Sequence, residues 1–343
     1  MIQRRRGRNT AARASKGILF VATMVVLLQS SSTAQNNAAY ESDSPPETSS
    51  AMLAPRTSEP IKTYHDGSIR DISAIGKRDI GCNHALGSRY SLQAQIDRGR
   101  AYAHEVEASS ALVADSVITD YVNRIGQNLA TNSDAQVRLT IKIIDTADVN
   151  AFSLPGGFIF VDSGLILAAD NEAELAGVIS HEIAHVAACH AVQEMAREQL
   201  TNVASMPLIF RVALRSITRN TIYGKPSRRF ESEADFLGLE YLYKAGYDPQ
   251  AISSFLEKVK TVERQRPGRV KAFESHHEIT DRIEKSRREI DTLLPPAQEY
   301  KVDTSEFQEI KRRLSELKHS HNAGEDHGGD GPTLTGTRAT AAF

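Results

Sequence analysis

The sequence contains no tryptophan, only two cysteines among 343 residues, and 6% aromatic residues. Two cysteines are too few for the disulfide framework that holds small secreted domains together. The longest apolar run, Gly17 to Leu28, has about twelve residues, whereas a membrane-spanning helix needs about twenty. A composition of 40% hydrophobic and 24% charged residues also excludes a polytopic membrane protein and a collagen-like chain. We therefore expect a globular protein, with room for about two domains.

The chain also lacks an excess of positive charge. Its 41 Lys and Arg residues against 43 Asp and Glu residues give a net charge of −2, so we expect no nucleic-acid partner. The first 34 residues are the exception, because they hold six basic and no acidic side chains. Without them 35 basic residues face 43 acidic ones, a net charge of −8.

Residues 1–34 have the pattern of a signal peptide. A basic segment precedes the apolar run, and the small residues Ser32 and Ala34 suit cleavage before Gln35. The alternative is an uncleaved membrane anchor, which the short run disfavours. No cysteine directly follows the run, which argues against a lipoprotein. The segment predicts export to the periplasm or cell envelope.

The remaining chain predicts a mostly helical α+β fold with a small sheet. Apolar residues at three- and four-residue spacing between Ile118 and Leu129 predict a surface helix. Alternation over 137–143 and the run 158–161 predict two strands, and a long helix is expected from Asp170 or Asn171 to about Arg197. Further helices are expected at 203–219, 229–245, 250–263, 278–293 and 304–318. We find no internal repeat.

The long helix carries an H-E-x-x-H motif, His181 to His185. Residues four apart share one helix face, so both imidazoles can bind one metal while Glu182 reaches a water beside it. Two unliganded histidines and a glutamate would be costly to bury in so apolar a helix. His190 lies five residues past His185, off the ligand face, and is expected to be structural.

A catalytic zinc site needs a third protein ligand. Glu231 is the best candidate, and Asp235, on the same helix face, can accept a hydrogen bond from the distal nitrogen of a zinc-bound histidine. Glu233 would face away. A solvated acidic helix face is the alternative. Cys82 and Cys189 are expected either to form one disulfide or to remain two buried thiols.

Several motifs follow one another along the chain. They are Asn150–Val161, Asn171–Val178 leading into H-E-x-x-H, Glu231–Asp235 with Gly238, and Ala245–Pro249. In this order they resemble the zinc metallopeptidases that include HtpX, the CAAX prenyl proteases, OMA-type proteases and BepA-like enzymes. The resemblance covers roughly Ile80 to Leu293. Because the chain lacks the multiple membrane helices of HtpX and the prenyl proteases, it looks like the BepA-like branch.

The resemblance implies a zincin-like domain with one Zn²⁺ per chain. By position it makes His181, His185 and Glu231 the zinc ligands, Glu182 the general base and Asp235 the supporting carboxylate. The extent of the resemblance predicts a metallopeptidase domain over 76–300. Composition and periodicity predict the other boundaries, namely a signal peptide over 1–34, a disordered linker over 35–75, a C-terminal helix over 301–318 and a disordered tail over 319–343. The short C-terminal region argues against the helical-repeat partner domain of BepA-like proteins.

The same resemblance points to His276, six residues before Arg282, as a donor to the oxyanion or an occupant of the fourth zinc position. His277 stands where relatives commonly have proline, so the choice between the two histidines stays open, and an ordinary loop histidine is the alternative. The apolar segment 203–222 is expected to cover the cleft. Its arginines at four-residue spacing suggest contact with a membrane surface as an alternative to core packing.

Together these features predict an exported zinc endopeptidase that cleaves misfolded or envelope proteins. If the strand 158–161 is a sheet edge, it can pair with unfolded or extended polypeptide; if it is buried, that idea fails. The alternative function is an envelope chaperone or assembly factor that uses the same cleft with little proteolysis.

Overall fold

A computed structural model of the chain describes residues 61–82, 90–201, 227–265 and 279–326. The predicted signal peptide, most of the predicted linker, the helix expected at 203–219, His276, His277 and the end of the tail lie outside the described residues. The described helices are α1 (Leu92–Ser109), α2 (Ser116–Thr131), α3 (Ser163–Ala168), α4 (Glu172–Ala187), α5 (His190–Thr201), α6 (Arg228–Lys244), α7 (Gln250–Gln265), α8 (Ile279–Leu293) and α9 (Ser305–Asp326).

Three short strands form one sheet in the order β1-β3-β2. They are β1 (Thr140–Ile144), β2 (Ala151–Leu154) and β3 (Phe158–Asp162). β3 runs parallel to β1 and antiparallel to β2, so it occupies the centre of the sheet. The fold is therefore mostly helical with a small sheet, and the predicted α+β class is confirmed.

The sheet is covered on both faces. Ile159 and Val161 point into the main core with α2, α4, α6 and α7, whereas Phe158 and Phe160 point into a smaller cluster near α1. Because alternate residues of a strand face opposite sides, a strand buried on both faces appears as a continuous apolar run. This explains why the run Phe158 to Val161 shows no polar alternation.

The central position of β3 corrects one prediction. An edge position for strand 158–161 was the condition for its pairing with a substrate peptide, and β3 already has a strand on each side. The sheet edge next to α4 is β2, which the sequence analysis did not predict as a strand. β2 joins β3 through a tight turn in which Gly156 and Gly157 have φ values of 74° and 93°.

The long helix predicted to end near Arg197 is also different in the structure. It breaks after Ala187, and α5 starts at His190 in a new direction, bent by 50° from α4. Cys189 sits at the break with a φ of 54°, a left-handed conformation that a continuous helix cannot contain. The same cysteine is joined by a disulfide to Cys82, with a Cα–Cα distance of 5.0 Å.

The other helix predictions that fall on described residues agree with the structure apart from their ends. The apolar stripe of α2 is buried, since Ile118 and Leu129 are fully covered. α9 continues to Asp326, eight residues beyond the predicted end at residue 318. Before α1, Ile72–Ala74 forms a short 3-10 turn and Ile75 is buried in the core, so contacts with the core already begin inside the predicted linker.

Within the described ranges, no single helix has both the length and the apolar character needed to cross a membrane. α4 together with the start of α5 reaches that length and apolarity only as a bent pair.

Candidate active site

α4 is the central helix of the domain. Every residue of α4 except Val186 is buried, which fits its apolar sequence. The Asn171 side chain caps its first turn by accepting a hydrogen bond from the backbone N–H of Glu174 at 3.0 Å. α4 packs between the sheet and the helices α2, α6 and α7. The H-E-x-x-H residues thus lie in the interior, on a helix that its neighbours hold in place.

α6 brings the third candidate ligand to α4. The Ser227 side chain caps α6 by accepting from the N–H of Phe230, and Glu231 follows in the first turn. α6 can approach closely because residue 238 is glycine. A Cβ atom there would lie 3.0 Å from the backbone N and Cα of His181. The small residue therefore determines how near Glu231 comes to the two histidines.

Three side-chain groups converge at this contact. The Nε2 atoms of His181 and His185 are 3.1 Å apart, and each lies 3.4 Å from an oxygen of Glu231. A tetrahedral zinc ion with bonds of about 2.0–2.1 Å separates its ligand atoms by about 3.3 Å. Two imidazoles and one carboxylate at this spacing fit a catalytic divalent metal. In the part of the chain that the structure describes, they are the one group of three such residues with converging ligand atoms.

Asp235 supports His181 from behind. Its Oδ1 atom lies 3.0 Å from Nδ1 of His181, the ring nitrogen that faces away from the converging atoms. The guanidinium of Arg282, from α8, donates to both oxygens of Asp235, at 2.7 and 2.5 Å. Burial opposes the charge of Asp235, but Arg282 and His181 outweigh it and hold the pKa of this carboxyl well below its usual range. A charged Asp235 fixes the ring orientation of His181.

His185 has its own supporting pair, which the sequence analysis did not anticipate. Its Nδ1 atom lies 3.0 Å from Nδ1 of His190, and Nε2 of His190 lies 3.6 Å from Glu233. The His190 ring stacks on Phe230 with a centroid distance of 4.4 Å. Contact with His190 lowers the pKa of Glu233. Glu233 does face away from the candidate ligands. It is connected to His185 through His190, which lies between them.

Glu182 is held by the edge strand. The Ser153 hydroxyl, on β2, donates to Oε2 of Glu182 at 2.9 Å. Glu182 is 2% exposed and lies next in the chain to His181. This hydrogen bond orients the Glu182 carboxylate next to the converging histidines.

The charge of His181 depends on its carboxylate neighbours. Burial lowers the pKa of His181, but the contacts with Asp235 and Glu231 outweigh burial and raise it to about 9. A metal bound at Nε2 takes the place of the proton there. Metal binding is therefore expected to release protons and to weaken in acid.

The structure brings together five of the six residues predicted for the site. His181, His185 and Glu231 converge, Asp235 contacts His181, and Glu182 is buried on α4 directly after His181 in the chain. His276 is outside the described residues. Three supporting residues were missed as such, namely His190, Glu233 and Ser153. Of the three, only Ser153 lies near a recognisable sequence feature, since it precedes the Pro-Gly-Gly turn by two positions.

Comparison with known proteins agrees with this arrangement. The model of peptidase family M48 matches residues 118–290, which include both helices of the H-E-x-x-H contact. The metalloprotease YcaL of Escherichia coli K12 is 34% identical over 242 residues, covering 67% of this chain and 85% of the relative. The mitochondrial metalloendopeptidase OMA1 of Schizosaccharomyces pombe is 30% identical over 209 residues, covering 59% of this chain and 61% of the relative.

The beta-barrel assembly-enhancing protease of Escherichia coli K12 is 31% identical over 197 residues. That alignment covers 53% of this chain but only 40% of the relative, so the chain matches less than half the length of that protein. The family model, in contrast, matches half of this chain. The chain therefore belongs to peptidase family M48 and is a metallopeptidase.

Proposed function

We propose that this protein is an exported zinc-dependent endopeptidase that hydrolyses peptide bonds in misfolded or envelope proteins. The observation that carries the proposal is the convergence of two imidazoles and a carboxylate at zinc-ligand spacing, with Glu182 beside them. Family membership supplies the reaction class, peptide-bond hydrolysis by a metallopeptidase.

In this proposal His181, His185 and Glu231 hold the ion. When bound, zinc acts as a Lewis acid toward the scissile carbonyl and lowers the pKa of water. The donor set supports this choice of metal, since two histidines and one glutamate leave a fourth position open, as catalytic zinc sites require. One Zn²⁺ per chain follows from the single group of converging ligands among the described residues.

Glu182 acts as general base and then general acid. It accepts a proton from the attacking water and passes that proton to the leaving amine. Ser153 donates a hydrogen bond to one oxygen of Glu182 at 2.9 Å and so helps to orient the carboxylate for both transfers. Asp235 is a positioning residue, since it contacts His181 and not the reacting atoms. His276, the predicted oxyanion donor or fourth ligand, keeps that role as a proposal.

The substrate in this proposal is an extended or unfolded polypeptide that pairs with the edge strand β2. The N–H of Asp162 in β3 donates to the carbonyl of Asn150. In an antiparallel pair, every second residue of a strand forms main-chain hydrogen bonds with the partner strand. Asn150 and Phe152 therefore bond to β3. The main-chain groups of Ala151 and Ser153 then point away from β3. Ala151 is buried and Ser153 is half-buried, so a substrate strand would pair at Ser153. Main-chain pairing depends little on the substrate's side chains, which suits a protease that acts on many different unfolded proteins.

The place of action is proposed to be the periplasm or cell envelope. The basic and apolar pattern of residues 1–34 supports export through a cleavable signal peptide. Similarity to the beta-barrel assembly-enhancing protease supports an envelope role for the part of the chain that matches it. Contact of residues 203–222 with a membrane surface stays a secondary proposal.

A single substitution tests the catalytic proposal. Glu182→Gln removes the proton acceptor but keeps the shape of the side chain. We expect hydrolysis of casein to fall by about 10²–10⁴-fold, because that is the typical contribution of a general base. Zinc content, measured by elemental analysis, is expected to stay at one ion per chain in both proteins.

The same experiment separates the alternative function. A chaperone or assembly factor that uses the cleft only for binding would keep its function after Glu182→Gln. Wild-type protein that holds zinc but cleaves no polypeptide would support that alternative. Wild-type protein without zinc would contradict the metal site itself.

A further inference from the structure

A second concave surface lies on the outer side of α6. It is a cavity of about 690 Å³, within the size range of ligand-binding sites. Its walls come from the segment before the 3-10 turn, from α6 and from α8. We call it the basic groove. Its charged residues are Lys62, Arg70, Arg228, Arg229, Lys285, Glu233 and Glu289.

The basic groove has the opposite charge to the protein as a whole. Five cations face two carboxylates there, whereas acidic side chains outnumber basic ones in the full chain. All five cations are exposed. None of them forms a close ion pair with a carboxylate of the described residues, although the charge of Arg229 acts on Glu233 and the charges of Lys285 and Arg70 act on Glu289. Burial raises the pKa of Glu289 to about 7, which weakens its negative charge near neutral pH. An anionic ligand would therefore meet a net positive charge, because the cations of the groove outnumber its carboxylates.

The groove is also connected to the active site, through Glu233 and His190. Glu233 lines the groove and lies 3.6 Å from His190, which contacts the metal ligand His185. Ser232, beside the ligand Glu231 in the chain, lines the groove as well. A ligand in the groove would thus sit on the back of the helix that supplies the third metal ligand.

We propose that the basic groove is an accessory binding site for an acidic segment of the polypeptide substrate. This inference rests on the proposed peptidase function and adds a preference to it. Main-chain pairing at β2 depends little on the side chains of the substrate. A separate charged site would select substrates that carry an acidic segment away from the cleaved bond. Substrates that carry such segments would dissociate more slowly and would be cleaved efficiently at a lower substrate concentration.

Three features favour an extended peptide over other anions. The cations come from three separate elements, so they suit a ligand with several negative charges along its length. The groove also offers apolar contacts with Ile69 and Phe236 and hydroxyl groups of Ser232 and Thr292. A membrane surface would need exposed apolar side chains to insert. The exposed large apolar residues of the described chain, Leu92, Val117 and Val302, lie outside the groove.

The test measures binding to the full-length Glu182→Gln protein, so that cleavage does not interfere. The probe is a short fluorescein-labelled peptide of alternating Glu and Gly, compared with one that has Gln in place of Glu. We expect the acidic peptide to bind about tenfold more tightly, and high salt to remove the difference. Arg228→Glu with Arg229→Glu, or Lys62→Glu with Lys285→Glu, should each weaken acidic-peptide binding about tenfold.

The matched control reverses two exposed arginines outside the groove, Arg100→Glu with Arg312→Glu. It makes the same change in net charge and should leave binding unchanged. All variants are first compared by thermal unfolding, and the two groove variants change different walls, so one misfolded variant does not decide the result.

Equal binding of both peptides, or equal loss in the groove variants and the control, would overturn the proposal. The proposal would also be overturned if the protein bound phosphatidylglycerol vesicles but not the acidic peptide, and if the groove variants weakened the binding to vesicles. Failure of the peptidase function is visible separately, as wild-type protein that lacks zinc or does not cleave casein.

Discussion

At the residue scale, the two histidines proposed to bind the metal are supported in different ways. His181 contacts a buried carboxylate that Arg282 keeps charged, whereas His185 contacts a second histidine. When Nε2 of a histidine binds a metal, its Nδ1 carries the proton and must donate it. His190 is then the acceptor for His185, and its own Nε2–H faces Glu233. The orientation of His185 thus depends on a residue that binds no metal.

We therefore expect His190→Phe to weaken zinc binding by about 10–100-fold, the usual effect of losing such a supporting contact. Phenylalanine keeps the stacking on Phe230 but cannot accept a hydrogen bond. His190→Asn retains an acceptor and should lose less affinity. The zinc dissociation constant is measured by competition with a chelator. Equal affinity of wild type and His190→Phe would show that His190 only fills space.

At the element scale, the break between α4 and α5 explains why His190 was missed. On a continuous helix, residues five apart are rotated by about 140° from each other, so His190 would point away from His185. The left-handed conformation at Cys189 redirects α5 and brings the His190 ring back to within 3.0 Å. The spacing of the motif could not reveal this, because nothing in the sequence marks the break except the cysteine itself.

The disulfide holds that break to the segment before α1. It closes a loop of 107 residues, and closure of a loop this long reduces the entropy of the unfolded chain. We expect reduction of Cys82–Cys189 to lower the free energy of unfolding by about 2–5 kcal/mol. Urea denaturation with and without reductant measures the change.

The matched control for this prediction is Cys82→Ala with Cys189→Ala. Its free energy of unfolding should equal that of the reduced wild type and should not respond to reductant. If the wild type unfolds at the same urea concentration in both conditions, the disulfide does not stabilise the native state.

At the scale of the whole molecule, local patterns were predicted and long-range contacts were not. The four-residue spacing of His181 and His185 fixes a shared helix face, so that part of the site follows from helix geometry alone. The buried stripe of α2 follows from the same rule. The central position of β3 could not be predicted, because a continuous apolar run reports burial on both faces but not which strands lie beside it.

Long-range packing also decides where Glu231 lies. It follows His185 by forty-six positions, and its place beside the histidines requires α6 to pack tightly on α4 at Gly238. The sequence indicated the residue by its chemistry, and the structure supplies the distance of 3.4 Å to each histidine. The resemblance to a family added the order of the motifs. It did not identify Ser153 or the His190–Glu233 pair.

The central claim is a zinc site made of two histidines and one glutamate. X-ray absorption at the zinc edge, on protein loaded with one zinc ion, tests it most directly. The account predicts only nitrogen and oxygen neighbours, at about 2.0–2.2 Å, with the outer scattering of two imidazoles. A sulfur neighbour at about 2.3 Å, or a spectrum without imidazole scattering, would contradict the site.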